Sequence, residues 1–236
     1  MTIIPMPRAY NYDLATIAKN MYFFPLYGVI IGIIVGLVAL LSSSFLPHYI
    51  TSFVILITFV IVTGVHHIDG LADFADGLMS NGDKESKRKA MSDPIVGAAG
   101  TTALIISFIG LFIALINFES AIKLFYSIIV SEVIAKYVMV FQASVGHSSW
   151  SGFSSSFTIE MKKGYKIIMS IIITVLIVYV IEGMMGLLTL GIVLIIGLII
   201  LILSYKNFGG VSGDVFGASN EISRLTSLLI LSTLMI

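Results

Sequence analysis

Asp69, Asp73 and Asp76 stand four and then three residues apart in HHIDGLADFADGL, directly after the apolar run TSFVILITFVIVTGV. On a helix that spacing brings the three carboxyls to within roughly 60° of one another, as a single acidic face. Carboxylates about 6 Å apart repel by ~3 kcal/mol per adjacent pair at an effective dielectric of ~20, so something positive must sit among them. The chain has no cysteine, which removes disulfides, thiolate-bound metals, iron–sulfur clusters and cysteine nucleophiles. Hard carboxylate oxygens then favour Mg²⁺ or Mn²⁺, ions that reach proteins through a few carboxylates plus substrate phosphate. His66 lies near the same face, as an interfacial hydrogen-bonding residue or as a ligand or base, whereas His67 points the other way. The competing reading is a solvated helix end paired with Lys84 to Lys89. Exposed carboxylates need no common stripe, however, and an ionisable cluster at a membrane boundary is a functional-site hypothesis by default.

Two later stretches carry complementary chemistry. GDKESKRKAMSDPIVGAAG, from Gly82, gathers Lys84, Lys87, Arg88 and Lys89 ahead of Asp93 and a run of small residues. Such cations suit a pyrophosphate beside a carboxylate–metal site, or else anchor the cytoplasmic side of a membrane protein. The small residues after Asp93 permit close approach of backbone or ligand. NFGGVSGDVFGASNEISRL, residues 207–225, holds Gly209, Gly210, Gly213 and Gly217 with Asp214 and Glu221. Its backbone N–H groups could approach a phosphate while the carboxylates approach metal; glycines alone would indicate close helix packing. Loop 144–164 adds His147, Trp150, Phe153 and Phe157, either a stacking surface for a corrinoid or base or ordinary interfacial anchors.

The elements that must position these groups are membrane helices. A mean hydropathy of +1.06, with 58% hydrophobic and 11% charged residues, cannot form a water-soluble core with a polar coat. Seven apolar runs, at about 24–46, 49–65, 97–117, 121–143, 166–183, 186–204 and 222–236, predict seven transmembrane helices. The absence of strict alternation excludes a barrel. The fold class is therefore an all-α polytopic membrane bundle, with residues 1–236 as one domain. The N-terminal stretch lacks the pattern of a cleaved signal, so the first span is expected to be retained. Arg8, Lys19, Lys84, Lys87, Arg88, Lys89, Lys162, Lys163, Lys166, Lys206 and Arg224 fall on one side of these spans and Lys123 on the other. That asymmetry predicts a cytoplasmic N-terminus and a cytoplasmic active face in the cell membrane. Glu132 and Lys136, spaced i, i+4 inside the fourth span, read as a buried ion pair or a substrate contact.

HIDGLADFADGL, MSDPIVGAAG and GGVSGDVFGASNE resemble, in order and spacing, three blocks of the cobalamin synthases, the adenosylcobinamide-GDP ribazoletransferases. The resemblance runs from MPRAYNY to the final span. It departs in a lysine-rich stretch where the family often carries arginine before Met-x-Asp, and in Ser212 where the family usually has threonine. The resemblance implies a Mg²⁺-dependent membrane enzyme that completes the nucleotide loop of cobalamin. It would join α-ribazole, or its 5′-phosphate, to adenosylcobinamide-GDP and release GMP. On that pattern Asp69, Asp73, Asp76 and Asp214 are candidate metal ligands, and Asp73, Asp76 and His66 candidate catalytic groups. Lys87, Arg88, Lys89, Asp93, Gly209, Gly210, Asn220 and Glu221 are candidate substrate-binding residues. The partners implied are the two substrates, the bilayer, and further copies of the chain or other corrinoid enzymes, with no nucleic acid.

Two other classes compete. A cation-coupled transporter would more often show repeated halves and mid-span charges. A CDP-alcohol phosphotransferase requires Asp-Gly-x-x-Ala-Arg, and here LADFADGL follows Asp69-Gly70 without arginine.

Overall fold

The computed structural model describes residues 14–150 and 152–233. The MPRAYNY block with Arg8, the last three residues of the expected final span and the Phe153 side chain lie outside the described residues. The elements are α1 (Leu14–Lys19), a 3-10 turn (Met21–Phe23), α2 (Phe24–Ser43), α3 (His48–Thr63), α4 (His66–Met79), α5 (Lys84–Met91), α6 (Ala98–Ile116), α7 (Ala121–Val145), α8 (Phe153–Met161), α9 (Gly164–Phe208) and α10 (Gly213–Thr233). No strand occurs among the described residues, and a lone bridge joins Ser148 to Val211. The all-α membrane class therefore holds.

Among the described residues four helices are long and apolar enough to cross a membrane: Met21–Ser43, Ala98–Ile116, Ala121–Val145 and Gly164–Phe208. Counting α3 and α4, bent by 93°, as one broken span gives up to five. The expected fifth and sixth spans form one 45-residue helical element interrupted at Gly183, where φ is +60°. At ~1.5 Å per residue a straight helix of that length would run to roughly 68 Å, over twice the ~30 Å hydrocarbon core. Instead it bends: a Cβ on Gly186 would lie 2.9 Å from the Val178 carbonyl oxygen, eight residues earlier. Lys166 near its start bonds the Lys19 carbonyl at 2.8 Å, Glu182 meets Ser127 near the start of α7, and Tyr205 meets His147 just past its end. Each half of α9 thus traverses the bundle once.

The final helix begins at Gly213, nine residues before the expected span. Among the polar residues that moved the sequence boundary forward, Asn220, Glu221 and Arg224 are paired inside the bundle. It runs beside α6, with Leu225 against Gly110 and the Asn117 amide donating to the Ser232 carbonyl at 3.2 Å. Arg224, expected in a basic loop, is fully enclosed.

Most of α7 is buried, whereas α2, α6 and α9 expose large aliphatic side chains outward, as helices facing lipid should. α2 packs antiparallel to α7 through Gly28, Gly32 and Gly36. Cβ atoms there would stand 2.6 Å from the Glu132 carbonyl oxygen, 2.5 Å from Ile129 Cα and 2.7 Å from the Phe125 ring. Small residues four apart allow such backbone approach where lipid supplies no hydrophobic drive between helices. The connections 44–47 and 117–120 and the Gly183 bend gather at one end. The 64–65, 80–83 and 92–97 segments, loop 146–150 and the 209–212 turn gather at the other.

Candidate active site

At this second end α4 turns 93° from α3 and lies across the bundle rather than along it. Gly70, Phe74 and Gly77 form its buried stripe, flanked by Leu71 and His67. The glycines are dictated by crossing distance. A Cβ on Gly70 would stand 3.0 Å from Asp214 Cα, and one on Gly77 would stand 2.3 Å from Met91 and 3.0 Å from Phe208. Asp-Gly at 69–70 and again at 76–77 therefore places each carboxyl beside a point where another element touches the helix.

Asp73 is half-buried and Asp69 exposed. Burial, then the charges of Asp69, Asp214 and Asp76, push the Asp73 carboxyl up to about 7. Asp214, in the first turn of α10, is brought to this face by the α4–α10 crossing and accepts the Ser212 hydroxyl at 3.2 Å. Ser212 also accepts the Val215 N–H at 3.3 Å, capping α10, so the serine in place of threonine keeps the capping hydroxyl. None of these four aspartates is ion-paired among the described residues; the lysines of α5 are directed elsewhere. Among the described residues no group of three or more His, Asp or Glu side chains is placed to hold a metal ion. An ion here would reach the protein through one or two of these unpaired carboxylates, with water and substrate phosphate filling its other positions.

Asp76 has a different environment from Asp73. Its two oxygens accept the Gly97 N–H at 2.7 Å and the Gly100 N–H at 2.8 Å. Cβ atoms on Gly97 and Gly100 would fall 2.6 and 2.5 Å from those oxygens. The small residues of DPIVGAAG thus let the N-terminus of α6 close around a carboxylate, where the helix dipole favours negative charge. Asp76 joins α4 to α6 and stands at the edge of the acidic face.

The remaining expected residues divide. Lys87 donates to the Leu78 carbonyl at 2.9 Å, closing the end of α4, and Lys89 pairs with Glu85 at 3.5 Å. Arg88 lies over the Trp150 ring, 4.1 Å from its centroid. Asp93 is exposed and accepts the Ile95 N–H at 2.9 Å, a turn contact away from the other acids. His66 is exposed at the start of α4. Gly209 ends α9 in the left-handed region, φ +85°. Gly210 passes so close to loop 146–150 that a Cβ would meet the His147 carbonyl oxygen at 2.5 Å, and Val211 pairs with His147 and Ser149 at 2.9 Å. The glycines thus join two segments of backbone.

Asn220 and Glu221 require correction as substrate contacts. Their polar atoms are committed inside the bundle: Lys136 donates to Asn220 at 2.6 Å, Asn220 to Glu221 at 3.0 Å, and Arg224 to Glu221 at 2.6 Å. Arg224 also binds Glu132 and lies 4.7 Å from the Phe59 centroid, while Lys136 and Glu132 are 3.8 Å apart. Of the two readings of Glu132 and Lys136, the buried pair is the one present. Phe157 is likewise in the core, against Phe24.

A cavity of about 510 Å³ opens beside the acidic helix, lined by Lys84, Glu85, Arg88, Lys89, Ser92, Ser149, Trp150 and Phe208. Phe208 was not legible as a site residue because it ends an apolar helix. Its ring packs 5.8 Å from that of Phe74, so one aromatic pair joins the cavity lining to the buried side of α4.

No solved structure matches the chain with significant similarity. Among curated proteins, the adenosylcobinamide-GDP ribazoletransferase of Methanocella arvoryzae is 32% identical over 243 residues, covering 97% of this chain and 90% of that protein. The enzyme of the same name from Clostridium novyi is 32% identical, covering 98% and 92%, and that from Archaeoglobus fulgidus is 31% identical, covering 92% and 88%. The family model described as cobalamin-5-phosphate synthase matches residues 1–232, and the chain belongs to that family.

Proposed function

We propose that this chain is an adenosylcobinamide-GDP ribazoletransferase, completing the nucleotide loop of cobalamin. The observation that carries the reading is the unpaired acidic face of Asp69, Asp73 and Asp214 beside a basic cavity, on a chain whose relatives carry that name over nearly their whole length. The hydroxyl oxygen of α-ribazole, or of its 5′-phosphate, bonds to the phosphorus attached to cobinamide. The P–O bond to the outer phosphate breaks, and its electron pair leaves with GMP.

One or two of the carboxylates Asp69, Asp73 and Asp214 would hold Mg²⁺, which when bound supplies positive charge to the pyrophosphate oxygens as GMP departs. Asp76 fixes α4 against α6 and so sets the height of the acidic face. His66, or a carboxylate of the acidic face that is not engaged by the ion, takes the proton of the attacking hydroxyl. The lysines Lys19, Lys84, Lys87, Lys89, Lys162, Lys163, Lys166 and Lys206 surround the end bearing the acidic face, which supports a cytoplasmic orientation and a cell-membrane location.

The test is GMP release by detergent-purified protein given adenosylcobinamide-GDP, α-ribazole and Mg²⁺, beside EDTA and an Asp73→Asn variant. The expected result is release that EDTA stops and that Asp73→Asn reduces at least ~10²-fold while the variant remains folded. Release untouched by either change would refute the acidic face as the reacting centre.

A further inference from the structure

We propose that the cavity between α5, loop 146–150 and the end of α9 binds the guanosine portion of the GDP-activated substrate and holds GMP after transfer. This subsite deepens the transferase reading and rests on it. A volume of about 510 Å³ is within the ordinary range for a small-molecule site, and too small to enclose a corrin macrocycle with its amide side chains.

The lining matches a purine nucleotide in three respects. The Arg88 guanidinium and the half-buried Trp150 indole are already in contact, with 4.1 Å between guanidinium carbon and ring centroid, so a base adds to the free face of the pair rather than entering between them. Guanidinium and indole together offer a planar platform for stacking. Glu85 is held by one exposed pair with Lys89, at 3.5 Å, which can open at little cost. Its carboxylate can accept two N–H groups, and guanine presents N1–H and the 2-amino group side by side where cytosine and adenine do not. Lys84, Arg88 and Lys89 supply positive charge for phosphate.

Phe208 lines the cavity and its ring meets Phe74, the neighbour of Asp73. The cavity thus abuts the helix that carries the acidic face. α-Ribazole contains a planar base as well, so the two sources of a stacking ring must be separated experimentally.

Trp150 is the sole tryptophan of the chain, so the emission of the intact protein in detergent reports on this cavity directly. GMP, CMP and α-ribazole 5′-phosphate are each titrated against that emission. We expect saturable quenching by GMP, and at least tenfold weaker responses to the other two. Arg88→Ala should raise the KM for adenosylcobinamide-GDP about tenfold with a smaller effect on kcat, the scale of one lost stacking partner. Glu85→Gln, at an exposed position that does not threaten folding, should weaken GMP more than IMP, which lacks the 2-amino group. Quenching by α-ribazole 5′-phosphate in preference to GMP would overturn the assignment, as would an unchanged KM in both variants. A protein that releases GMP from the corrinoid yet shows no response to added GMP would sink the subsite and leave the reaction standing. Conversely, a protein whose emission answers GMP but which releases none would retain the nucleotide site and lose the transferase reading.

Discussion

Asp73 and Asp76 illustrate how one motif assigns different environments to like residues. Both are half-buried on α4, but Asp76 receives two backbone N–H groups from α6, whereas Asp73 faces other carboxylates. Burial and the neighbouring carboxylates push its carboxyl up to about 7, so a cation held by Asp73 would displace a proton below that pH. The apparent Mg²⁺ affinity should therefore rise with pH through about 7, and isothermal titration at pH 6 and pH 8 should give the weaker binding at pH 6. An affinity independent of pH would argue that Asp73 does not hold the ion. A Gly100→Ala variant tests the other carboxylate. Its Cβ would fall 2.5 Å from Asp76 Oδ2, so the α4–α6 junction must shift, and activity should drop more than detergent stability does.

At the scale of elements, glycine spacing governs the packing of α2 on α7. A methyl at Gly32 would stand 2.5 Å from Ile129 Cα, so Gly32→Ala should cost ~1–3 kcal/mol through overpacking. Gly191→Ala, in the second half of α9 with nothing within 4 Å, should be neutral or slightly stabilising, because alanine is the better helix former. Thermal unfolding of the two variants in one detergent checks the contrast. Similar losses at both sites would mean that close approach is not what positions α7. The bend at Gly183 belongs to this scale too: its φ of +60° is unfavourable for a side chain, and the sequence signalled a break there only through the gap between two apolar runs.

For the molecule as a whole, a buried ionic cluster sits within an otherwise apolar core, and further large aliphatic side chains face outward. Glu132, Lys136, Glu221 and Arg224 link α7 to α10 where partners are costly to lose. Glu132→Gln leaves Arg224 short of a counter-charge and should destabilise by roughly 3–5 kcal/mol. Loss of activity without loss of stability in that variant would mark the cluster as part of the site rather than its support. Topology is open to direct measurement because the chain has no cysteine. Single cysteines at exposed Lys89 and at Phe45, 84% exposed at the opposite end, should react with an impermeant maleimide from opposite sides of sealed vesicles. Labelling of Lys89→Cys from the cytoplasmic side is the expected result.

Sequence alone determined the family and the all-α membrane class, and it set the acidic face as a candidate site. Carboxylates at i, i+4, i+7 share a helix face wherever that helix sits, and apolar runs of membrane length need no partners to be recognised. Tertiary structure decided what each polar residue faces. Asn220 and Glu221 read as ligands beside a glycine loop, but α10 starts at Gly213 and carries them inward to Lys136 and Arg224. The Gly97 and Gly100 cradle of Asp76, and the Phe74–Phe208 wall, join residues far apart in the chain. Such contacts depend on helix crossings, and local periodicity carries no record of which helix lies opposite.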